Sequence, residues 1–140
     1  MLLEHDRDIA ELLTSTRRIA LVGASARRER ASNEIFRFLQ QQNYDVIPVN
    51  PGLAGQILYD VPVVGSLADI TGTIDLVDIF RNSAAAGDVV DQAIAVGAKA
   101  VWMQLGVINQ PAAERASDAG LKVVMDRCPK IEMPRLGLLS

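Results

Sequence analysis

An apolar run that stops at a glycine constrains this chain more than any other feature. Ile19-Ala20-Leu21-Val22 leads into Gly23-Ala24-Ser25-Ala26. Arg27, Arg28 and Arg30 follow, and then apolar residues at Ile35, Phe36 and Leu39. A near-continuous apolar run of strand length suits a parallel strand covered on both faces, and the later spacing is that of an amphipathic helix. The stretch therefore predicts a buried strand, a tight turn and a helix over 33–42, with Ser32 as its N-cap. A helix N-terminus has free N–H groups and a partial positive charge, so it attracts anions such as phosphate. Gly23 lets backbone approach a ligand closely, Ser25 and Ser32 add hydroxyls, and the three arginines add full charges. The turn is a candidate cradle for the phosphates of a nucleotide-containing cofactor, or else a tight turn followed by a solvated basic loop.

The rest of the chain alternates in the same way. A short amphipathic helix is expected from about Glu4 to Leu13. The first strand, 17–23, precedes the turn, and a second, 44–49, is closed by Asn50-Pro51-Gly52. A loop over 53–60, with a short strand near Ile57, leads to a third strand over 61–64. Pro62 marks that strand as an edge. A helical turn follows over 66–70, then a fourth strand over 74–80, in which Asp75 and Asp78 are expected to face a loop or a partner at the sheet surface. Later elements are a helix over 83–96 with Ser83 as N-cap and Gly97 as C-cap, a strand over 98–105, a helix over 111–119 with Asn109 near its start, and a sixth strand over 121–125. Residues 126–140 read as an irregular tail. The alternation gives the α/β class: one domain, 1–140, with a core over about 17–126 and a doubly wound parallel sheet of order 3-2-1-4-5-6. Ligands bind such a sheet outside the carboxyl ends of its strands, where the winding reverses.

Composition narrows the function classes. With 140 residues and a net charge of −3, the chain is long enough for one core and lacks the basic balance of a nucleic-acid binder. Residues 1–18 lack the apolar block of a signal peptide, and no apolar run is long enough to span a membrane. Cys128 is the single cysteine, which excludes an intrachain disulfide and fits a reducing cytoplasm. His5, the single histidine, precedes the first strand, so no Ser-His-Asp or Cys-His set is available. No metal-ligand cluster is visible. The chain reads as a binding module rather than an enzyme. The dinucleotide fingerprint GxGxxG keeps only its first glycine here, and Asn50-Pro51 stands where an acid usually holds the ribose hydroxyls. Both departures weaken an NAD(P)-binding redox reading, which remains the alternative.

Several short motifs together resemble a known family. They are Val22-Gly23-Ala24-Ser25, Val46-Ile47-Pro48-Val49-Asn50-Pro51, Asp75-Leu76-Val77-Asp78-Ile79-Phe80-Arg81, the stretch 97–107 from Gly97 through Gln104 and Gly106 to Val107, and Val124-Met125-Asp126-Arg127-Cys128-Pro129. In order and spacing they are similar to the small stand-alone CoA-binding proteins of bacteria, whose domain looks like the N-terminal CoA-binding domain of the succinyl-CoA synthetase alpha subunit. The resemblance implies a Rossmann-like domain that binds coenzyme A or an acyl-CoA without catalysis, as a sensor, carrier or regulator, or as an accessory subunit of an acyl-CoA ligase. It implies that Gly23, Ala24, Ser25 and Ala26 hold phosphates and that Asn50 and Pro51 line the nucleotide end. Phe80, Arg81 and Asn82 would contact the cofactor, with Gln104 and Gly106 farther along the crevice. Arg81 follows an apolar strand directly, so it faces the crevice or pairs with Asp75 or Asp78. Trp102 alternates with apolar neighbours and reads as core. Cys128 reads as a small buried thiol; the alternative is a thiol on the crevice side, near the CoA thiol, with Arg127 and Lys130 favouring its thiolate.

Overall fold

Outside residues 51–69, strands and helices alternate from Arg18 to Val124, and the apolar runs there form the strands of the main sheet. The computed structural model describes residues 1–140. In chain order the elements are α1 (Asp6–Ser15), β1 (Arg18–Val22), α2 (Ala31–Gln41), β2 (Asp45–Val49), β3 (Ile57–Leu58), β4 (Val61–Pro62), β5 (Leu76–Ile79), α3 (Ser83–Ala95), β6 (Ala100–Met103), α4 (Gln110–Asp118), β7 (Lys122–Val124) and α5 (Pro129–Arg135), with single 3-10 turns at Pro51–Leu53 and Leu67–Asp69. The main sheet has five parallel strands in the order β2-β1-β5-β6-β7. No helix is long and apolar enough to cross a membrane.

Side chains alternate faces along a strand, and this divides the apolar residues into two layers. Ala20, Val22, Val77, Ile79 and Val101 pack against the apolar faces of α3 and α4, including Val90 and Ala116. Ile19, Leu21, Leu76 and Trp102 pack on the opposite side against Ile9 and Leu13 of α1, Phe36 and Leu39 of α2, and Met133 of α5. Burial on both faces is what a Rossmann-like sheet requires, and it explains why β1 and β6 read as near-continuous apolar runs and β5 as one broken only by Asp78.

Several sequence expectations are corrected. The third strand does not join the sheet as a full member. Its residues form β4 in a two-stranded antiparallel hairpin with β3, and only Val64 reaches the sheet edge, in a single parallel bridge to Val49. Pro62 has no N–H to give a ladder. Tyr59 and Asp60 both take positive φ, as a two-residue hairpin turn demands. The remaining five strands keep the expected order. The tail is not irregular: residues 129–135 form α5, docked on α1 and α2 by Arg135 to Asp6 and Lys130 to Glu34. Its brevity and its internal Pro134 conceal it from periodicity. The N-cap of α3 is Asn82, not Ser83; Asn82 Oδ1 accepts from the Ala85 N–H at 2.8 Å. Gly97 lies just past the C-cap Val96, with a φ of 74°.

The two acids of β5 and its approach part company. Asp75 faces the loop end, where it accepts from the N–H groups of Arg17 and Arg18 and pairs with Lys99 at 3.3 Å. Asp78, expected at the sheet surface, is buried in the sheet centre between Leu21 and Trp102, and neither carboxyl oxygen has a hydrogen-bond partner. Burial pushes its pKa up to about 8, because desolvation disfavours the charged form. Unfolded, such a carboxyl titrates near 3.9. Between those two values the folded chain holds the extra proton, so stability is retained below the window and falls as pH rises through it. Asp78→Asn removes that dependence. Its unfolding free energy relative to wild type should rise by up to about 4 kcal/mol from pH 5 to pH 8. Urea denaturation at the two pH values checks this, and equal differences at both would contradict it.

Candidate functional site

The carboxyl ends of β1, β2 and β5 open into a cleft of about 530 Å³. The chain leaving β1 builds its floor. Gly23 and Ala24 donate their N–H groups to Val49 O at 3.0 and 3.3 Å, carrying the ladder to β2 past the strand end. Two asparagines then take over. Asn50 Nδ2 donates to Ala24 O at 2.7 Å, and Asn33 Nδ2 donates to Ser25 O at 2.8 Å. In a trans peptide the N–H points opposite the C=O. Holding these two carbonyls therefore turns the N–H groups of Ser25 and Ala26 the other way, and both residues line the cleft. Neither N–H has an acceptor in the chain, nor do those of Ala31 and Ser32 in the first turn of α2. Four unpaired N–H groups beside the start of an 11-residue helix make a site for a phosphate or diphosphate.

The charged and polar groups around this floor have distinct positions. Helix α2 begins at Ala31 with Arg30 as N-cap, because Arg30 is extended at φ −76° and ψ 142°. Ser32 is therefore not the N-cap; it lies buried inside the first turn and lines the cleft. Arg30 lines the cleft without a carboxylate partner, whereas Arg27 pairs with Glu29 at 2.8 Å in solvent, a contact of little energetic weight. Ser25 Oγ accepts from the Arg27 N–H and keeps its own proton to donate.

Gly23 has an unexpected reason for being glycine. Its φ is 94°, and a Cβ there would lie 2.1 Å from Phe80 O. The space that a side chain would fill belongs to the end of β5, where the Phe80 N–H donates to Val22 O at 2.8 Å. Close approach of two strands at the winding reversal is by itself enough to forbid a side chain.

Phe80 and Ala31 also line a second cleft, of about 650 Å³, between α2, α5 and the ends of β5 and β6. Its walls are mainly apolar, with Ile35, Leu105, Val107 and Ile131. Glu34, Arg81 and Lys130 also line it, and Gln104 is its buried polar residue, with 6% of its surface exposed and its Oε1 without a partner. Arg81 stands at the mouth and pairs with neither Asp75 nor Asp78. Trp102 is wholly buried, its Nε1 donating to Arg127 O at 2.8 Å.

The sequence-derived candidates thus divide in three. Gly23, Ala24, Ser25, Ala26, Arg27, Arg30, Ser32, Asn50 and Phe80 line the first cleft, and Phe80, Arg81 and Gln104 the second. Arg28, Pro51, Asn82 and Gly106 line neither. Asn82 caps α3, and the Gly106 N–H donates to Asp126 Oδ1 at 2.7 Å. Sequence reasoning missed Asn33, which is wholly buried and whose Oδ1 accepts from Tyr59 Oη and Arg37 Nε. A polar residue on the apolar face of α2, beside Ile35 and Phe36, was the available signal. No three His, Cys, Asp or Glu side chains converge as a metal site would need.

Residues 17–134 match the family described as the CoA binding domain. The chain is 36% identical over 124 residues to the Bacillus subtilis protein YneT, described as uncharacterized, covering 89% of this chain and 90% of that one. A solved hypothetical protein from Pyrococcus horikoshii OT3 is 40% identical with a TM-score of 0.90, over 95% of this chain and 92% of that one. The fold alone is shared with the dinucleotide forming acetyl-coenzyme A synthetase 1 of Ca. Korarchaeum cryptofilum, at 22% identity and a TM-score of 0.71. That match covers 83% of this chain and 27% of the synthetase.

Two substitutions probe the floor. Asn33→Ala strands the Ser25 carbonyl and the Tyr59 hydroxyl and should cost about 1–3 kcal/mol of stability. Gly23→Ala should cost at least about 1–3 kcal/mol from backbone strain alone, before the clash with Phe80. Chemical denaturation measures both, and a Gly23→Ala protein as stable as wild type would refute the steric account.

Proposed function

The chain belongs to the CoA binding domain family, and on that premise we propose that it binds coenzyme A or an acyl-CoA along the two clefts. The observation that carries this reading is the pairing of a phosphate floor with an apolar chamber. Four unpaired N–H groups from the Ser25–Ala26 turn and the start of α2 receive the diphosphate. The nucleotide lies toward Asn50, Gly52 and Leu53. The pantetheine arm crosses Phe80 and Ala31, which both clefts share, and enters the apolar second cleft.

The NAD(P) alternative is disfavoured by the same residues. The position that would hold a ribose is Asn50, whose carboxamide is already engaged by Ala24 O and the Gly52 N–H. We read the role as non-catalytic: a sensor, carrier or regulator. Neither cleft is lined by a histidine, and no nucleophile–base pair lies in them. A second reading, as an accessory subunit to an acyl-CoA ligase, draws on the fold shared with part of a synthetase named for acetyl-coenzyme A.

Side-by-side calorimetry and thermal unfolding with CoA, acetyl-CoA, NAD and ATP test the reading. At 100 times its dissociation constant, CoA should add about 2.7 kcal/mol to stability. Binding should weaken as salt is raised, because the exposed arginines are screened. Arg30→Ala should lose about 1.5–3 kcal/mol of affinity if its guanidinium meets a phosphate. Saturable NAD binding with no response to CoA would overturn the proposal.

A further inference from the structure

Resting on the CoA reading, we infer that Cys128 captures the thiol end of the ligand as a mixed disulfide. Cys128 is half-buried and lines the second cleft. Its position is fixed on both sides. The preceding residue is tied to β6 through Trp102 Nε1 to Arg127 O, and the Cys128 carbonyl accepts the N–H groups of Ile131 and Glu132 as α5 begins.

The dimensions agree. The phosphate floor lies at the end of β1 and Cys128 just past β7, and the order β1-β5-β6-β7 separates them by three strand spacings. At about 4.8 Å per spacing that is roughly 14 Å. The pantetheine arm runs about twelve bonds from its phosphate oxygen to its sulfur, the backbone length of about four extended residues, or roughly 13–14 Å. A ligand anchored by its phosphates at Ser25 and Ala26 therefore has an arm long enough to bring its sulfur to Cys128.

Gln104 supplies independent support for the route. It lies just past the end of β6 and lines the same cleft, and its Oε1 is buried without a partner. A buried acceptor without a partner is costly. The pantetheine arm carries two amide N–H groups, and a turn of the Gln104 carboxamide toward the cleft lets either of them satisfy Oε1 on the way to Cys128.

The reaction is thiol–disulfide exchange, with the symmetric disulfide of CoA as co-reactant. The Cys128 thiol releases its proton to solvent, and Sγ attacks one sulfur of the CoA disulfide. The S–S bond breaks, its electron pair leaves with the second CoA as thiolate, and an Sγ–S bond to the first CoA forms. The cysteine is oxidised and one half of the disulfide reduced. The nearby cations do not supply a bare positive field for the thiolate, as the sequence led one to expect: Arg127 is paired with Glu132 at 2.7 Å and Lys130 with Glu34. Selectivity comes instead from positioning, the anchored nucleotide raising the effective concentration of the disulfide at Sγ.

Intact-mass measurement after incubation with CoA disulfide, beside calorimetry with reduced CoA, tests the inference. The wild-type chain should gain one CoA at least ten times faster than it gains glutathione from oxidised glutathione. The adduct should vanish with reductant, be absent in Cys128→Ser, and form more slowly when the adenine-nucleotide half of CoA, without its arm, is in excess. If reduced CoA binds but no adduct forms, or forms no faster than with glutathione, the inference is overturned and the CoA reading stands. If reduced CoA does not bind, both fall.

Discussion

Two side-chain carboxamides decide which way the peptide groups after β1 face. Asn50 and Asn33 hold the carbonyls of Ala24 and Ser25, and the trans geometry of the peptide bond does the rest. Without those two bonds the turn would be free to rotate its peptide planes, and the N–H groups of Ser25 and Ala26 would have no fixed direction. Asn33 is itself held by Tyr59 and Arg37. The hairpin of β3 and β4, marginal as a sheet, thus acts through Tyr59 as a strut for the turn after β1. An electrostatic site is worth most when its dipoles are oriented before the ligand arrives, and here helix α2, strand β2 and the hairpin all contribute to that orientation.

The winding reversal between β1 and β5 supplies the second constraint. The two chains approach so closely at Gly23 and Phe80 that a Cβ has no room. The same approach puts Phe80 on the ridge between the two clefts. A ligand that extends from the phosphate floor must cross that ridge, and its far end meets apolar walls from α2 and α5. The site is therefore elongated, polar at one end and greasy at the other, a form suited to a nucleotide bearing a long flexible arm.

Near the second cleft the sheet buries an acid whose carboxyl oxygens have no hydrogen-bond partner. Asp78 pairs in register with Trp102, and one rung toward the cleft Phe80 and Gln104 follow on the same face. Asp78 and Gln104 hold the buried side-chain atoms that lack hydrogen-bond partners. Unsatisfied buried groups are expensive, and local rules are broken most often where a site is built. Their adjacency marks the β5–β6 edge of the crevice as the part of the core least optimised for stability.

What the residues alone determined is the periodic part of the protein. Ile19–Val22 and Ala100–Met103 are apolar runs of strand length, Leu76–Ile79 is one broken only by Asp78, and with helical spacing between them a parallel sheet covered on both faces accommodates them. The same reading placed the Gly23–Ala26 turn, Arg30, Asn50 and Phe80 at the carboxyl ends of neighbouring strands, because strand direction and crossover handedness are local rules. Tertiary structure decided what depends on contacts distant in sequence. Asn33 and Asn50 meet the turn across 8 and 26 residues, and no pattern in either segment states that they share acceptors. The turn at Gly23 was legible, but the steric reason for a glycine there is Phe80, 57 residues later by their numbering. Helix α5 escapes periodicity because it is seven residues long with Pro134 inside, and it docks through Met133, whose partners on α1 and α2 are distant in sequence. Periodicity is a property of a segment and survives in one dimension; the direction of a peptide group or the neutralisation of a cation is a property of two segments brought together, and only the folded chain specifies it.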